Sequence, residues 1–70
     1  MTDGKKLKEA IDGSGVSISF LASKIGCSRN RIYSMIGGSD CTNSEIFKLV
    51  ELLHMSKNQR DEIFFAKKRE

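Results

Sequence analysis

The residues best equipped for chemistry lie together in the stretch SRNRIYS, residues 28–34. At 100° per residue, a helix here would place the amide of Asn30 and the hydroxyl of Ser34 on one side, with the phenol of Tyr33 beside them. The guanidinium of Arg29 leads at the amino end. Arginine pairs with guanine and asparagine with adenine in the major groove of DNA. The stretch therefore indicates that Arg29, Asn30, Tyr33 and Ser34 read base edges.

The alternative is an ordinary solvated helix face, because most protein surfaces carry polar side chains. The distribution of charge favours DNA. The chain has 12 Lys+Arg and 9 Asp+Glu, a net charge of +3. No acidic residue lies within residues 13–39, which contain Lys24, Arg29 and Arg31. The net charge of this one segment therefore equals the net charge of the whole chain. Such a concentration of positive charge is typical of a surface that binds phosphates.

No other set of residues predicts catalysis or metal binding. His54 is the only histidine, and it has no neighbouring carboxylate or nucleophile, so we expect a structural role at a helix end. Cys27 and Cys41 lack metal-ligand spacing, and we expect two reduced thiols that pack as small apolar groups. No phosphate-binding loop or nucleophile elbow is present. We therefore predict that the protein is not an enzyme and needs no metal or cofactor.

The length limits what the chain can enclose. Seventy residues form one domain, residues 1–70, with a single small core. No apolar run approaches the ~18 residues of a membrane span, and the amino end lacks the apolar stretch of a secretory signal. We expect a cytoplasmic protein without membrane contact.

Glycine, serine and asparagine divide the chain into five predicted segments. The first three are helices over about 4–11, 18–25 and 29–36. The fourth helix is capped by Thr42 or Asn43, and the last segment follows Ser56. The last segment is ambiguous. Its three successive apolar residues, 63–65, cannot all face one core from a helix, so a short strand also fits.

Capping residues predict where the helices begin. Asp3, Ser17 and Ser28 precede the first three helices. The sequences TNSE at 42–45 and SKNQ at 56–59 fit capping boxes.

Only residues 26–28 separate the second and third predicted helices. So short a link containing glycine is typical of a helix-turn-helix, here over about 17–37. Gly26 can adopt the left-handed conformation that ends a helix without a Cβ penalty. Ala22 is small where the next helix must cross. We predict a compact all-α domain of five short helices.

The sequence SISFLASKIGCSRNRIYSMIGG, residues 17–38, resembles the helix-turn-helix of the lambda-repressor/Cro-like DNA-binding family. Residues 44–65, SEIFKLVELLHMSKNQRDEIFF, resemble the later helices of short phage Cro-like regulators. The resemblance implies a lambda-repressor-like fold and a repressor that occupies a double-stranded DNA operator in a bacterial host. In that family the first, second and sixth residues of the third helix commonly read bases, here Arg29, Asn30 and Ser34.

The chain departs from the family at two phosphate-binding positions. Ile18 stands where many members have glutamine, and Gly37 where many have asparagine. The family's serine or threonine N-cap is matched by Ser28. Other polar residues are expected to hold the DNA backbone instead. These are Ser17, Ser19, Lys24, Ser28, Arg31, Ser39, Thr42 and Asn43.

Phe64 and Phe65 leave two alternatives open. Both rings pack inside a domain that needs every apolar contact, or one is left for a second subunit. Members of the family often dimerise through their C-terminal segment, so the resemblance implies a weak homodimer on a palindromic operator, with Phe64 and Phe65 as the candidate interface. The rival hypothesis is a protein-interaction module that keeps this fold, such as an antitoxin whose C-terminal segment grips a toxin.

Overall fold

Five α-helices form the part of the chain that the computed structural model describes, residues 1–65. They are α1 (Gly4–Ser14), α2 (Ile18–Ile25), α3 (Arg29–Ile36), α4 (Asn43–Leu53) and α5 (Lys57–Phe64). The predicted bounds of α2 and α3 are confirmed. The last segment is a helix, so the alternative of a short strand is wrong. The described residues are all-α, as predicted.

α1 is longer than the sequence predicted. It continues past residue 11 and ends at Gly15, which has a left-handed φ of 79°. The Ser14 hydroxyl donates to the carbonyl oxygen of Ile11 at 2.7 Å and satisfies one of the last carbonyls. A glycine within a helix costs about 1 kcal/mol relative to alanine. Gly13 therefore weakens this end of α1 without stopping it.

Each of these helices begins at a side-chain cap, and the predicted caps are confirmed. In every case the side chain accepts a hydrogen bond from the backbone N–H three residues further on. The caps are Asp3, Ser17, Ser28, Thr42 and Ser56. The caps of α4 and α5 are full capping boxes, completed by Glu45 and Gln59. Helices this short are not stable alone, and a cap contributes about 1 kcal/mol.

The core is one apolar cluster to which all five helices contribute. Its fully buried members are Leu7, Leu21, Ile32, Met35 and Leu49. α3 packs against α1 and α2, and α2 also packs against α4. α5 packs against α1 and α4 but contacts neither α2 nor α3. The α2–α3 corner is therefore supported from behind by α1 and α4.

Phe64 belongs to this core and not to an interface. It is 3% exposed, whereas Phe65, directly after the last residue of α5, is 50% exposed. Ile63 and Phe64 both face the core from the last turn of α5, whereas Phe65 follows the helix with a non-helical backbone (φ -122°, ψ 33°). For Phe64 the structure favours the alternative in which the ring packs inside the domain, and Phe65 is the ring left at the surface.

α1 begins in close contact with the end of α3. A Cβ atom on Gly4 would overlap the carbonyl oxygen of Ile36 and lie 3.0 Å from the backbone nitrogen of Gly38. The neighbouring N–H of Asp3 donates to the carbonyl oxygen of Ile63 at 2.6 Å. Only a residue without a side chain lets two backbones approach this closely. Gly4 therefore determines where α1 lies against α3.

Gly4→Ala should destabilise the domain, because the added methyl group would push α1 away from the backbone of α3. We expect a loss of about 1–3 kcal/mol in the free energy of unfolding, measured by urea denaturation. Gly13→Ala is the matched control, since its methyl group meets no atom within 4 Å and should stabilise by about 0.5–1 kcal/mol. Equal effects of the two substitutions would contradict the close approach.

Candidate nucleic-acid interface

The corner between α2 and α3 is built by three residues. Gly26 ends α2 with a left-handed φ of 86°, and its N–H donates to the carbonyl oxygen of Ala22 at 2.8 Å. The N–H of Cys27 donates to the same oxygen at 3.0 Å. Ser28 then caps α3. The turn is short because the residues that end α2 are followed directly by the residue that caps α3.

One side of α3, its outer face, carries the four residues predicted to read bases. Arg29, Asn30, Tyr33 and Ser34 are all exposed. The two fully buried residues of α3 hold its inner side in the core. Within residues 1–65, none of the four side chains has a hydrogen bond or ion pair with another protein group. The outer face is therefore a set of polar groups available to a ligand.

Three of the residues predicted to contact the DNA backbone are helix caps in the structure. The hydroxyl oxygens of Ser17, Ser28 and Thr42 accept backbone N–H groups at 3.0, 3.1 and 3.1 Å. Since each oxygen acts as the acceptor, its proton is left to donate to another group, such as a phosphate oxygen. The positive end of a helix dipole adds to this preference for anions. The other neutral candidates, Ser19, Ser39 and Asn43, are exposed.

Arg31, expected to hold the DNA backbone, is engaged by other groups of the protein. Its Nε donates to Oε2 of Glu45 at 2.9 Å, and its Nη2 donates to Oε1 at 2.8 Å. Nη2 also donates to the carbonyl oxygen of Asp40 at 2.8 Å. The Arg31 guanidinium lowers the pKa of Glu45 to about 2, and the backbone N–H of Thr42 contributes. Sequence reasoning missed this pair, since nothing in the sequence links residues 14 apart on different helices.

The α3–α4 loop, residues 37–42, contains an acid among the expected phosphate contacts. The Asp40 side chain is 83% exposed, with the amino group of Met1 3.8 Å from its carboxylate. A carboxylate between Ser39 and Thr42 in sequence would oppose a phosphate placed within the ~10 Å that salt leaves unscreened. The sequence indicated this acid, because the segment without acidic residues ends at Ser39, immediately before Asp40.

Two lysines hold different places around the corner. Lys24 is exposed, and its Nζ lies 5.6 Å from the centre of the Phe20 ring. Among residues 1–65 it has no carboxylate within ion-pair distance, so it is available to a phosphate. Lys48 of α4 instead donates to the carbonyl oxygen of Ile25, 3.3 Å away, at the end of α2. Sequence reasoning did not single out Lys48.

The remaining titratable residues form no further site in the described part of the chain. Residues 1–65 contain no group of three or more His, Cys, Asp and Glu placed to hold a metal ion. No helix there is long and apolar enough to cross a membrane. Cys27 and Cys41 are free, partly buried thiols, and burial raises the pKa of Cys41. His54 closes α4 with a left-handed φ of 54°, the structural role expected of it.

An apolar groove of about 330 Å³, the α4–α5 groove, lies between those two helices. Its lining residues are Asn43, Ile46, Phe47, Val50, Arg60 and Phe65. Phe47 is 64% exposed and Phe65 50%. The Arg60 guanidinium lies 5.8 Å from the centre of the Phe65 ring and donates a hydrogen bond to the carboxylate of Asp61 at 3.0 Å. The exposure of Phe47 was not predicted, since it lies beside the apolar stripe of α4.

Comparisons with known proteins assign no family: no family model, curated protein or solved structure matches the chain.

The Arg31–Glu45 pair should make stability depend on acid pH. The pKa of Glu45 falls from its ordinary 4.5 to about 2 on folding, so the stabilisation is present above about pH 4.5 and is lost as pH falls towards 2. We expect wild type to lose about 1–2 kcal/mol more than Glu45→Gln over this interval, allowing for solvent screening. Thermal unfolding at stepped pH measures the difference. Glu51→Gln, on an exposed position of the same helix, is the control and should keep the wild-type slope.

Proposed function

We propose that the protein is a sequence-specific DNA-binding regulator, a short phage Cro-type repressor with a lambda-repressor-like helix-turn-helix. One observation carries the proposal. The outer face of α3 presents four polar side chains, with no acid among them, on a helix whose inner side is buried. These side chains lack partners within residues 1–65, and their chemistry matches base edges. The Ser17 and Ser28 caps add hydroxyl protons suited to phosphates.

The mechanism is occupancy of an operator, which requires no chemical step. α3 enters the major groove with its amino end leading, so Arg29 and Asn30 reach the bases first. Arg29 pairs with O6 and N7 of a guanine, and Asn30 pairs with N6 and N7 of an adenine. Ser34 and Tyr33, further along the same face, meet neighbouring bases. Phosphate contacts fix the register, and a bound operator is closed to transcription.

A second copy of the chain is the proposed occupant of the α4–α5 groove. Phe47 and Phe65 are exposed rings in its lining, and a phenylalanine ring buries about 150–250 Å² when fully covered. Two half-covered rings per copy remain well below the ~800 Å² per partner of a stable interface. The area therefore supports a weak dimer that DNA completes by binding two outer faces at once.

Selection of bound sequences from a random DNA pool, followed by titration, tests the function. Binding should be salt-dependent, with log affinity falling by about 0.9 per phosphate for each unit of log salt. The selected sites should share a motif. Affinity that ignores salt would exclude a DNA-binding role, and a pool without enrichment would exclude sequence-specific binding.

Two substitutions on the outer face should weaken operator binding without changing the stability of the domain. Arg29→Ala and Asn30→Ala remove exposed side chains, so the free energy of unfolding should change by less than about 0.5 kcal/mol. Each should cost ~1–3 kcal/mol of operator binding and relax preference at one position per half-site. Asn30→Ala should leave binding to random DNA unchanged, because its side chain is neutral.

A panel of single-base operator variants, titrated with wild type and each variant, measures this. Ile32→Ala is the matched core control on the same helix, and it should cost about 2–5 kcal/mol of stability through a cavity. If both surface variants weaken every DNA equally, the two residues hold the backbone and another surface reads the bases.

Phe65→Glu and Phe47→Glu should abolish cooperative binding to paired half-sites about 34 Å apart while the fold is kept. A charge cannot be buried unpaired in an apolar contact. Phe64→Glu is the control and should unfold the domain, since that ring is in the core. Sedimentation with and without operator DNA measures the assembly. A monomer under both conditions would refute the dimer, and a stable complex with a different protein would favour the protein-interaction alternative.

A further inference from the structure

One carboxylate connects the reading helix, the α3–α4 loop and α4. Both oxygens of Glu45 accept from Arg31, through Nε at 2.9 Å and Nη2 at 2.8 Å. The backbone N–H of Thr42 donates to Oε1 of the same carboxylate at 2.8 Å. Nη2 of Arg31 also holds the carbonyl oxygen of Asp40. Three consecutive parts of the chain are thus joined in one network of charge-assisted hydrogen bonds.

The placement of this network matters because α3 is only eight residues long. Two fully buried side chains, Ile32 and Met35, anchor its inner side. Apolar packing sets their depth but is not directional. The Arg31 side chain, next to Ile32, reaches sideways to α4 through two hydrogen bonds of defined geometry. It can therefore fix the rotation of α3 about its axis, and with it the direction of the outer face.

A second bond from α4 supports the other helix of the corner. Lys48, three residues after Glu45, donates to the last carbonyl of α2 at Ile25, 3.3 Å away. Residues three apart share one side of a helix. One side of α4 therefore holds both helices of the corner.

A direct phosphate contact by Arg31 would disrupt this arrangement. Its guanidinium would have to leave a paired carboxylate, and only Nη1 is free of hydrogen-bond partners in the described structure. Glu45, 15% exposed against 30% for Arg31, would then be an unpaired anion beside the DNA. Keeping the Arg31–Glu45 pair preserves these hydrogen bonds and leaves neither charge unpaired.

We propose that Arg31 and Glu45 are positioning residues, which hold α3 and the α3–α4 loop in the geometry that reads bases, and that Arg31 contacts no phosphate. This inference rests on the proposed DNA-binding function. Lys24 and Arg29 supply the positive charge that meets DNA from the corner, whereas Arg31 is neutralised within the protein. Removal of the pair should then reduce discrimination between DNA sequences and leave the number of displaced counterions unchanged.

The variants are Arg31→Lys, Arg31→Gln, Glu45→Gln and the double variant Arg31→Gln with Glu45→Gln. Glutamine at position 45 keeps a capping box, as Gln59 does in α5. Lysine at position 31 keeps the charge but cannot bind a carboxylate through two parallel bonds. Lys24→Gln is the matched control for a free cation. Affinities for the selected operator and for random DNA are measured over a range of salt concentrations.

We expect Lys24→Gln to shallow the salt dependence by about one unit and Arg31→Gln to leave it as in wild type. All four variants of the pair should lower the operator-to-random affinity ratio by about tenfold, the scale of one base contact. The double variant should be no worse than either single variant, because all lose the same contact. Arg31→Lys is decisive, since a phosphate-binding role predicts wild-type affinity for it.

The inference is overturned if Arg31→Gln shallows the salt dependence as Lys24→Gln does, or if Arg31→Lys keeps the wild-type ratio. It is also overturned if the ratio is unchanged in every variant of the pair. Should Arg31→Gln fail to fold, Arg31→Lys and Glu45→Gln decide by the same ratio. Salt-independent wild-type binding has a separate meaning: the DNA-binding function itself fails, and the positioning role with it.

Discussion

Burial of the inner side of α3 is the constraint on which the rest of the molecule depends. A two-turn helix has no stability of its own, and α3 is present because Ile32 and Met35 lie fully in the core. Once these two side chains are buried, helix geometry fixes which residues face solvent. Packing of these two side chains thus decides which polar residues lie on the outer face. The same two contacts stabilise α3 and expose its polar side chains.

The environment of that face depends on charges that the protein neutralises itself. Segment 13–39 has three cations and no acid, yet Arg31 is matched by Glu45, which lies outside it. Asp40 adds a negative charge at its border. The effective positive charge of the corner is therefore smaller than the sequence indicates. If the proposed DNA-binding function holds, hydrogen bonding by the outer face contributes more to binding than the net charge of the segment implies.

Local features of the fold were readable from the sequence, and contacts between helices were not. The caps at Ser17 and Ser28 follow from the hydrogen-bonding habits of one residue and its next three neighbours, which is why α2 and α3 were predicted with their bounds. Gly4 gave no signal, because its role is set by a backbone distant in sequence. Which of two adjacent phenylalanines is buried depends on the rotation of α5 about its axis, which only packing against α1 and α4 decides. The four outer-face residues were predictable as a set, since they share one short helix, while the engagement of Arg31 required the position of α4.

The hydrogen bond from Asp3 to Ile63 has a consequence for the order of folding. Most contacts in a helical domain are local and form early, but this bond joins positions near the two ends of the described chain. The entropy of closing so long a loop must be lost before the bond forms. We therefore expect the seam between the start of α1 and the end of α5 to close late in folding. By the same argument we expect unfolding to begin at this seam.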